Sequence, residues 1–330
     1  LRLYSAKEGF IMLRHSLFPA LALGAAMLGT MPVFAQDAFP LSIPTRFGDV
    51  VIENAPQRVV SLGWADAEIA LALGVRPVGI FDWNRNAGKG VGPWAEPLFG
   101  DETPLVFSRE QDLNFEQVLG LDANLITNVR SDNDEATYDR LAAIAPTIYS
   151  LAGEGFATPW DVQVLQISQA LGKSGEGQKL VDDTKTAIAK VAADHPEFDG
   201  KTIQVVVKFG DAYGTYLTGD ARFDLLTQFG FVGPEAVLEA ASGAPYLGIG
   251  VENFELAEAD VLILFALGYS LEELKADPIL AQVPAVKEGR AIFIDSPSPM
   301  YRALATGSPL SIADTIENLV PLLAEAAAKN

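Results

Sequence analysis

Apolar positions recur with helical spacing from about Ser174 to Ala193, near the middle of the chain. Leu180, Val181, Ala187, Ile188, Val191 and Ala192, with Thr184, fall on one stripe, and Asp182, Asp183, Lys185 and Lys190 take the other face. His195-Pro196 closes the helix, because the residue before a proline is pushed out of the α region. Gly172, Gly175 and Gly177 crowd its start and weaken the first turn. At ~1.5 Å per residue such a helix spans roughly 30 Å, the length of a strut between two lobes.

On either side the pattern switches between short β-branched runs and short amphipathic helices. In the first part, Arg58–Leu62, Val78–Phe81, Leu125–Thr127 and Thr147–Tyr149 read as strands, with helices at Asp66–Leu73, Asp139–Ile144 and Pro159–Leu171. The first of these form a β-α-β unit, which calls for a parallel sheet and a right-handed crossover. The Gly-, Pro- and Trp-rich loop Asp82–Gly100 is too long for a plain connection. In the second part, Lys201–Phe209, Val261–Phe265 and Ala291–Asp295 read as strands, the first apolar at nearly every position as a buried parallel strand should be. Helices follow at Ala221–Phe229 and Leu271–Ala276, and a last amphipathic helix covers Ile312–Ala327. The two parts echo each other: NFEQVLGLDANLIT from Asn114 and NFELAEADVLILF from Asn253 both run from a short helix into a buried strand. The expected fold is α/β: two Rossmann-like lobes, each a parallel-rich sheet flanked by helices, joined by one long helix. The boundaries are 36–172, 173–196 and 197–330.

Residues 1–35 are expected to lie outside the fold. Leu1–Ile11 reads as sequence upstream of a start at Met12; Arg14, the apolar run Leu17–Leu28 and Val33-Phe34-Ala35 then form a signal peptide with Gln36 as first mature residue. The run is shorter than the ~20 residues a membrane span needs, and Pro19 interrupts it. The chain has no cysteine, which excludes a disulfide scaffold, a thiol nucleophile, cysteine-ligated metal and a lipid-anchoring cysteine. A soluble periplasmic protein is expected.

The formal charge is −20. Segment 1–35 holds three bases and one acid, so the rest carries 20 bases against 42 acids, a charge of −22. Such a chain repels phosphate backbones, and nucleic acid is not expected as a partner. Catalytic constellations are scarce. Of two histidines, His15 falls in the signal and His195 at the strut's end, where the helix dipole accounts for it. Gly88, Gly90 and Gly92 neither follow a strand nor open a helix, so they form no nucleotide loop. No catalytic residue and no metal ligand is expected.

Aromatics and bases fall where ligands sit in open parallel sheets, beyond the carboxyl ends of strands. They are Trp64, Trp83, Arg85, Trp94, Arg130 and Tyr149 in the first lobe. In the second they are Lys208, Phe209, Tyr213, Arg222, Tyr246, Tyr269, Tyr301 and Arg302. Basic side chains there in so acidic a chain point to a ligand with anionic oxygens, and the aromatics to flat or partly apolar ligand surfaces.

Pro56–Ile80 (PQRVVSLGWADAEIALALGVRPVGI), Gly92–Gly100 (GPWAEPLFG), Asn114–Ile126 and Pro196–Phe209 resemble periplasmic iron–siderophore-binding proteins, the substrate-binding components of ABC importers. Vitamin B12-binding proteins are near relatives. The resemblance covers essentially the whole mature chain and implies a monomer that captures a ferric siderophore between its lobes. It would deliver the complex to an inner-membrane permease, with no resident cofactor because the iron arrives chelated. It also implies one permease-docking glutamate per lobe, at Glu68 and at Glu235, with Glu239 the alternative for the second. Two other readings stay open: the same scaffold holding a corrinoid or haem, and an exported α/β hydrolase, for which no nucleophile–base pair stands out.

Overall fold

Two apolar strands form the centre of each lobe in the computed structural model, which describes residues 37–86, 88–151 and 155–329. The expected signal peptide lies outside the described residues. In the first lobe the hairpin β1 (Leu41–Thr45) and β2 (Gly48–Ile52) precedes the sheet. The sheet itself and its helices follow as β3 (Val59–Ser61), α1 (Asp66–Ala72), β4 (Gly79–Asp82), β5 (Leu105–Ser108), α2 (Phe115–Leu119), β6 (Leu125–Asn128), α3 (Glu135–Ala142) and β7 (Thr147–Tyr149). Its order is β5-β4-β3-β6-β7, parallel throughout. Helices α4 (Trp160–Ala170) and α5 (Ser174–Asp194) lead to the second lobe.

That lobe contains β8 (Ile203–Phe209), β9 (Ala212–Tyr216), α6 (Ala221–Gln228), α7 (Glu235–Ala241), β10 (Tyr246–Ile249), β11 (Val261–Leu267), α8 (Leu271–Lys275), α9 (Pro284–Lys287) and β12 (Ala291–Ile294). The chain finishes with α10 (Pro299–Thr306), α11 (Pro309–Asn318) and α12 (Val320–Ala327). Its sheet runs β10-β9-β8-β11-β12. β8, β11 and β12 are parallel, and β9 turns back against β8. The NFE echo occupies matching places: each copy feeds the strand (β6 or β11) that pairs in parallel with its lobe's first central strand. Asn114 caps α2 by accepting from Gln117 N at 3.1 Å, whereas the second copy is a 3₁₀ segment broken at Asn253.

Helix α5 serves both cores. Val181 packs with Val164, Ile167 and Ala170 of the first lobe, while Ile188 and Val191 pack with Phe198 and Leu226 of the second. Its start does not fray: the Asp37 carboxylate accepts from Ser174 N at 3.0 Å and from Ser174 Oγ at 2.5 Å. Gly177 is there because α4 approaches closely, and a Cβ on it would meet Ser168 Oγ at 1.9 Å and Ser168 Cβ at 2.2 Å. Alanine is the better helix former by about 1 kcal/mol, but overpacking costs about 1–3 kcal/mol. Gly177→Ala should therefore lower stability in a denaturant titration; a stabilised variant would contradict this packing.

The last expected helix is two, because Pro321 has no N–H to continue the ladder. The α10–α11 turn reaches back to the first lobe. Asn84 Nδ2 donates to Thr306 Oγ1 at 2.8 Å, Arg130 Nη1 to the Thr306 carbonyl at 2.9 Å, and Ser308 Oγ to Glu68 at 2.5 Å. The lobes are thus joined by a continuous helix and fastened again beside it.

Candidate functional site

Between the lobes lie two hollows of about 350 and 370 Å³ that share Arg130, Phe156, Ala157 and Gly219 in their walls. The first-lobe wall forms as expected from carboxyl-end loops, Trp64 after β3 and Arg130–Asn133 after β6. Trp64 stacks on Trp83 with centroids 5.6 Å apart, and Phe156 meets Trp83 edge-on at 5.4 Å. Trp83 Nε1 donates to the Leu62 carbonyl at 2.7 Å, which fixes that ring, whereas Trp64 Nε1 has no hydrogen-bond partner among the described residues.

Arg130 carries the strongest electrostatic signal. It is 6 % exposed, lies 5.7 Å from the Trp64 ring centre, and donates from Nε to the Phe156 carbonyl at 2.9 Å. Its bonds go to carbonyls, and among the described residues no carboxylate forms an ion pair with it. Burial pulls its pKa down to about 10, so it stays charged at neutral pH at a desolvation cost.

The second-lobe wall departs from expectation. It is built from Tyr216, Gly219, Asp220, Arg222, Pro245, Tyr246 and Ala305. The strand-end rule had selected the carboxyl end of β8, but β9 runs the other way, so Tyr216 at its end pairs with Val205 rather than Lys208. Arg222 enters the wall with its charge already matched: Asp220 accepts from its Nε at 2.8 Å and Nη2 at 2.7 Å. Its guanidinium lies 3.6 Å from the Tyr216 ring centre. Burial works against this cation, but the Asp220 hydrogen bonds and charge raise its pKa overall. Tyr246 Oη has no hydrogen-bond partner among the described residues. Tyr301 packs 4.8 Å from Phe265, within the field of Arg222 and of Arg109 from the first lobe.

The remaining expected residues sit elsewhere. Lys208 is tied to Asp277 and Tyr213, and Tyr213 Oη donates to the same carboxylate at 2.7 Å, a group turned to the other face of the sheet. Tyr269 donates to the Gly210 carbonyl at that edge, and Phe209 is exposed. Tyr149 is wholly buried in the first-lobe core, between Phe47 and Tyr138. Trp94 donates from Nε1 to Glu68 at 2.7 Å and closes the long loop over α1. Arg85 points to solvent and pairs with Glu110 at 3.1 Å, and Arg302 donates to the Arg85 carbonyl.

Glu68 is corrected as a docking residue. It is 4 % exposed and accepts from Ser308, Trp94 and Gly92, so its carboxylate is committed inside the protein. Burial raises its pKa. Glu235 is exposed, but the Thr202–Val232 bridge puts its helix at the amino end of β8, away from the carboxyl edge, and Glu239 shares that helix. Sequence reasoning missed Tyr216, Asp220 and Phe156. Asp220 could have been found as the N-cap of α6, where it accepts from Arg222 N.

A family model described as periplasmic binding protein matches residues 59–298. The crystal structure of PiaA of Streptococcus pneumoniae TIGR4 in complex with ferrichrome is similar at 30 % identity and a TM-score of 0.76, covering 87 % of this chain and 99 % of that one. Among curated proteins of Bacillus subtilis, the probable siderophore-binding lipoprotein YfiY is 25 % identical, over 73 % of this chain and 75 % of its own. The Fe(3+)-citrate-binding protein YfmC is 24 % identical, over 75 % and 76 %.

Proposed function

The chain belongs to the periplasmic binding protein family, and from that premise we propose that it captures a ferric siderophore between its lobes for an ABC importer. The observation that carries the ligand reading is Arg130, a buried cation whose hydrogen bonds go to the carbonyls of Phe156 and Thr306, set beside the Trp64–Trp83 stack. Anionic or strongly polar chelate oxygens would recover its desolvation cost through charge-assisted hydrogen bonds. The two hollows suit a ligand of several hundred Å³. The role proposed is capture and release, without chemistry. The iron enters as chelated cargo, and a monomer exported to the periplasm by a cleaved leader, without a lipid anchor, fits this task. Among the described residues no helix is long and apolar enough to cross a membrane.

Because Trp64 and Trp83 lie in or beside the cleft, binding should be visible in their emission. Titration with ferric hydroxamate, catecholate and citrate complexes should quench tryptophan fluorescence saturably for at least one class, and the Trp64→Phe variant should lose most of that signal. Quenching by cobalamin or haem and by no ferric chelate would favour the cofactor-binding alternative.

For delivery we propose the two glutamates of the repeated NFE, Glu116 and Glu255, as permease contacts in place of Glu68 and Glu235. Both are exposed, and each follows a strand end at the carboxyl edge of its lobe's parallel core.

A further inference from the structure

The walls of the two hollows carry an unexpected balance of charge. Arg130 and Arg222 are the cations among the lining residues, against the four carboxylates of Asp132, Asp161, Asp220 and Asp224. Two of these are matched: Asp220 is bonded to Arg222 through both oxygens, and Asp161 pairs with Lys185 at 2.7 Å. Among the described residues, the Asp224 side chain accepts from Gly219 N, at 3.0 Å, and forms no ion pair, and Asp132 is exposed with no cation paired to it. The walls that hold Arg130 therefore also hold two carboxylates outside any ion pair with a lining cation, in a chain whose overall charge is −20. A strongly anionic guest would meet repulsion both on approach and in place. Meanwhile Trp64 Nε1 and Tyr246 Oη are neutral donors, buried in the same walls and lacking acceptors among the described residues. One cation outside an ion pair, two unused neutral donors and an aromatic lining suit a guest rich in carbonyl-type oxygens but without net negative charge.

We infer that the ligand class is a ferric hydroxamate complex, neutral or cationic overall, rather than a tris-catecholate or citrate complex. This rests on the siderophore-binding reading above and narrows it.

The test titrates the purified full chain, by tryptophan quenching, with four probes: ferrichrome (a neutral hydroxamate), ferrioxamine B (a cationic one), ferric enterobactin (a trianionic catecholate) and ferric citrate. At low ionic strength the better hydroxamate should bind at least about a hundredfold tighter than either anionic complex. At about 0.5 M salt the gap should narrow through screening while hydroxamate affinity holds. Asp132→Asn should strengthen enterobactin binding several-fold and so narrow the gap between enterobactin and ferrichrome; an unchanged gap would count against charge as the basis of selection. Equal or tighter binding of enterobactin or citrate overturns the hydroxamate assignment while leaving a siderophore-binding protein. Binding of none of the four overturns the assignment together with the reading it rests on.

Discussion

Arg130→Met weakens binding of the ferric siderophore by about thirtyfold or more, the cost of truncating one partner of a buried charged contact being on the order of 2–5 kcal/mol. Methionine keeps an apolar stem against Trp64 and removes the cation. The change also leaves the carbonyls of Phe156 and Thr306 without their donors, so a stability loss of about 1–3 kcal/mol accompanies it. Arg130→Lys should recover little, because one ammonium cannot span two carbonyls and a ligand as the planar guanidinium does. Arg85→Ala provides the contrast. Its side chain is 70 % exposed and paired with Glu110 at the surface, where such pairs contribute about 0–1 kcal/mol, so affinity should stay within about twofold. Calorimetric titration of the three variants checks the ranking. Parent-like binding by Arg130→Met would remove the central contact from the cleft.

The difference between these two arginines shows where the sequence was legible. Both follow strands of the first lobe and both are bases in an acidic chain, so position and composition could not separate them. Their environments do: Arg130 is folded under Phe156 and the α10–α11 turn, whereas Arg85 sits in an exposed turn with φ of 52°. The helix α5 and the central strands β3, β6, β8 and β11 were readable because burial on both faces or on one stripe imposes a period on the residues. Strand β5 was not, since three of its four residues are exposed and no alternation marks it. Missing β9 had the larger consequence. AYGTY is short and carries a glycine, yet its reversed direction places Tyr216, Asp220 and Arg222 in the wall and leaves Lys208 and Tyr213 on another face. Long-range contacts such as Glu68 with Ser308, 240 residues apart, have no local signature at all.

The same echo that marked the two lobes in the sequence leads to the second large effect, in delivery rather than capture. A permease that engages both lobes at once needs an exposed feature repeated on each, and a carboxylate committed to internal hydrogen bonds cannot provide it. Glu116, in the first turn of α2, and Glu255, in the matching 3₁₀ segment, are the copies of one residue in NFE, and both are exposed. Among the described residues neither side chain is tied up by a hydrogen bond or ion pair. Nor do they line either hollow. Charge pairs at such a rim steer association and set register, so docking should weaken with salt. The double variant Glu116→Arg, Glu255→Arg is therefore expected to bind its ligand like the parent and to lose most iron uptake and most association with the reconstituted importer. Each single variant should fall between, since one lobe still engages. Glu68→Arg should behave differently: a cation forced among Ser308, Trp94 and Gly92 would destabilise the junction of the lobes and lower the thermal midpoint by several degrees. Full uptake by the double variant, with ligand affinity intact, would place the permease contact elsewhere on the surface.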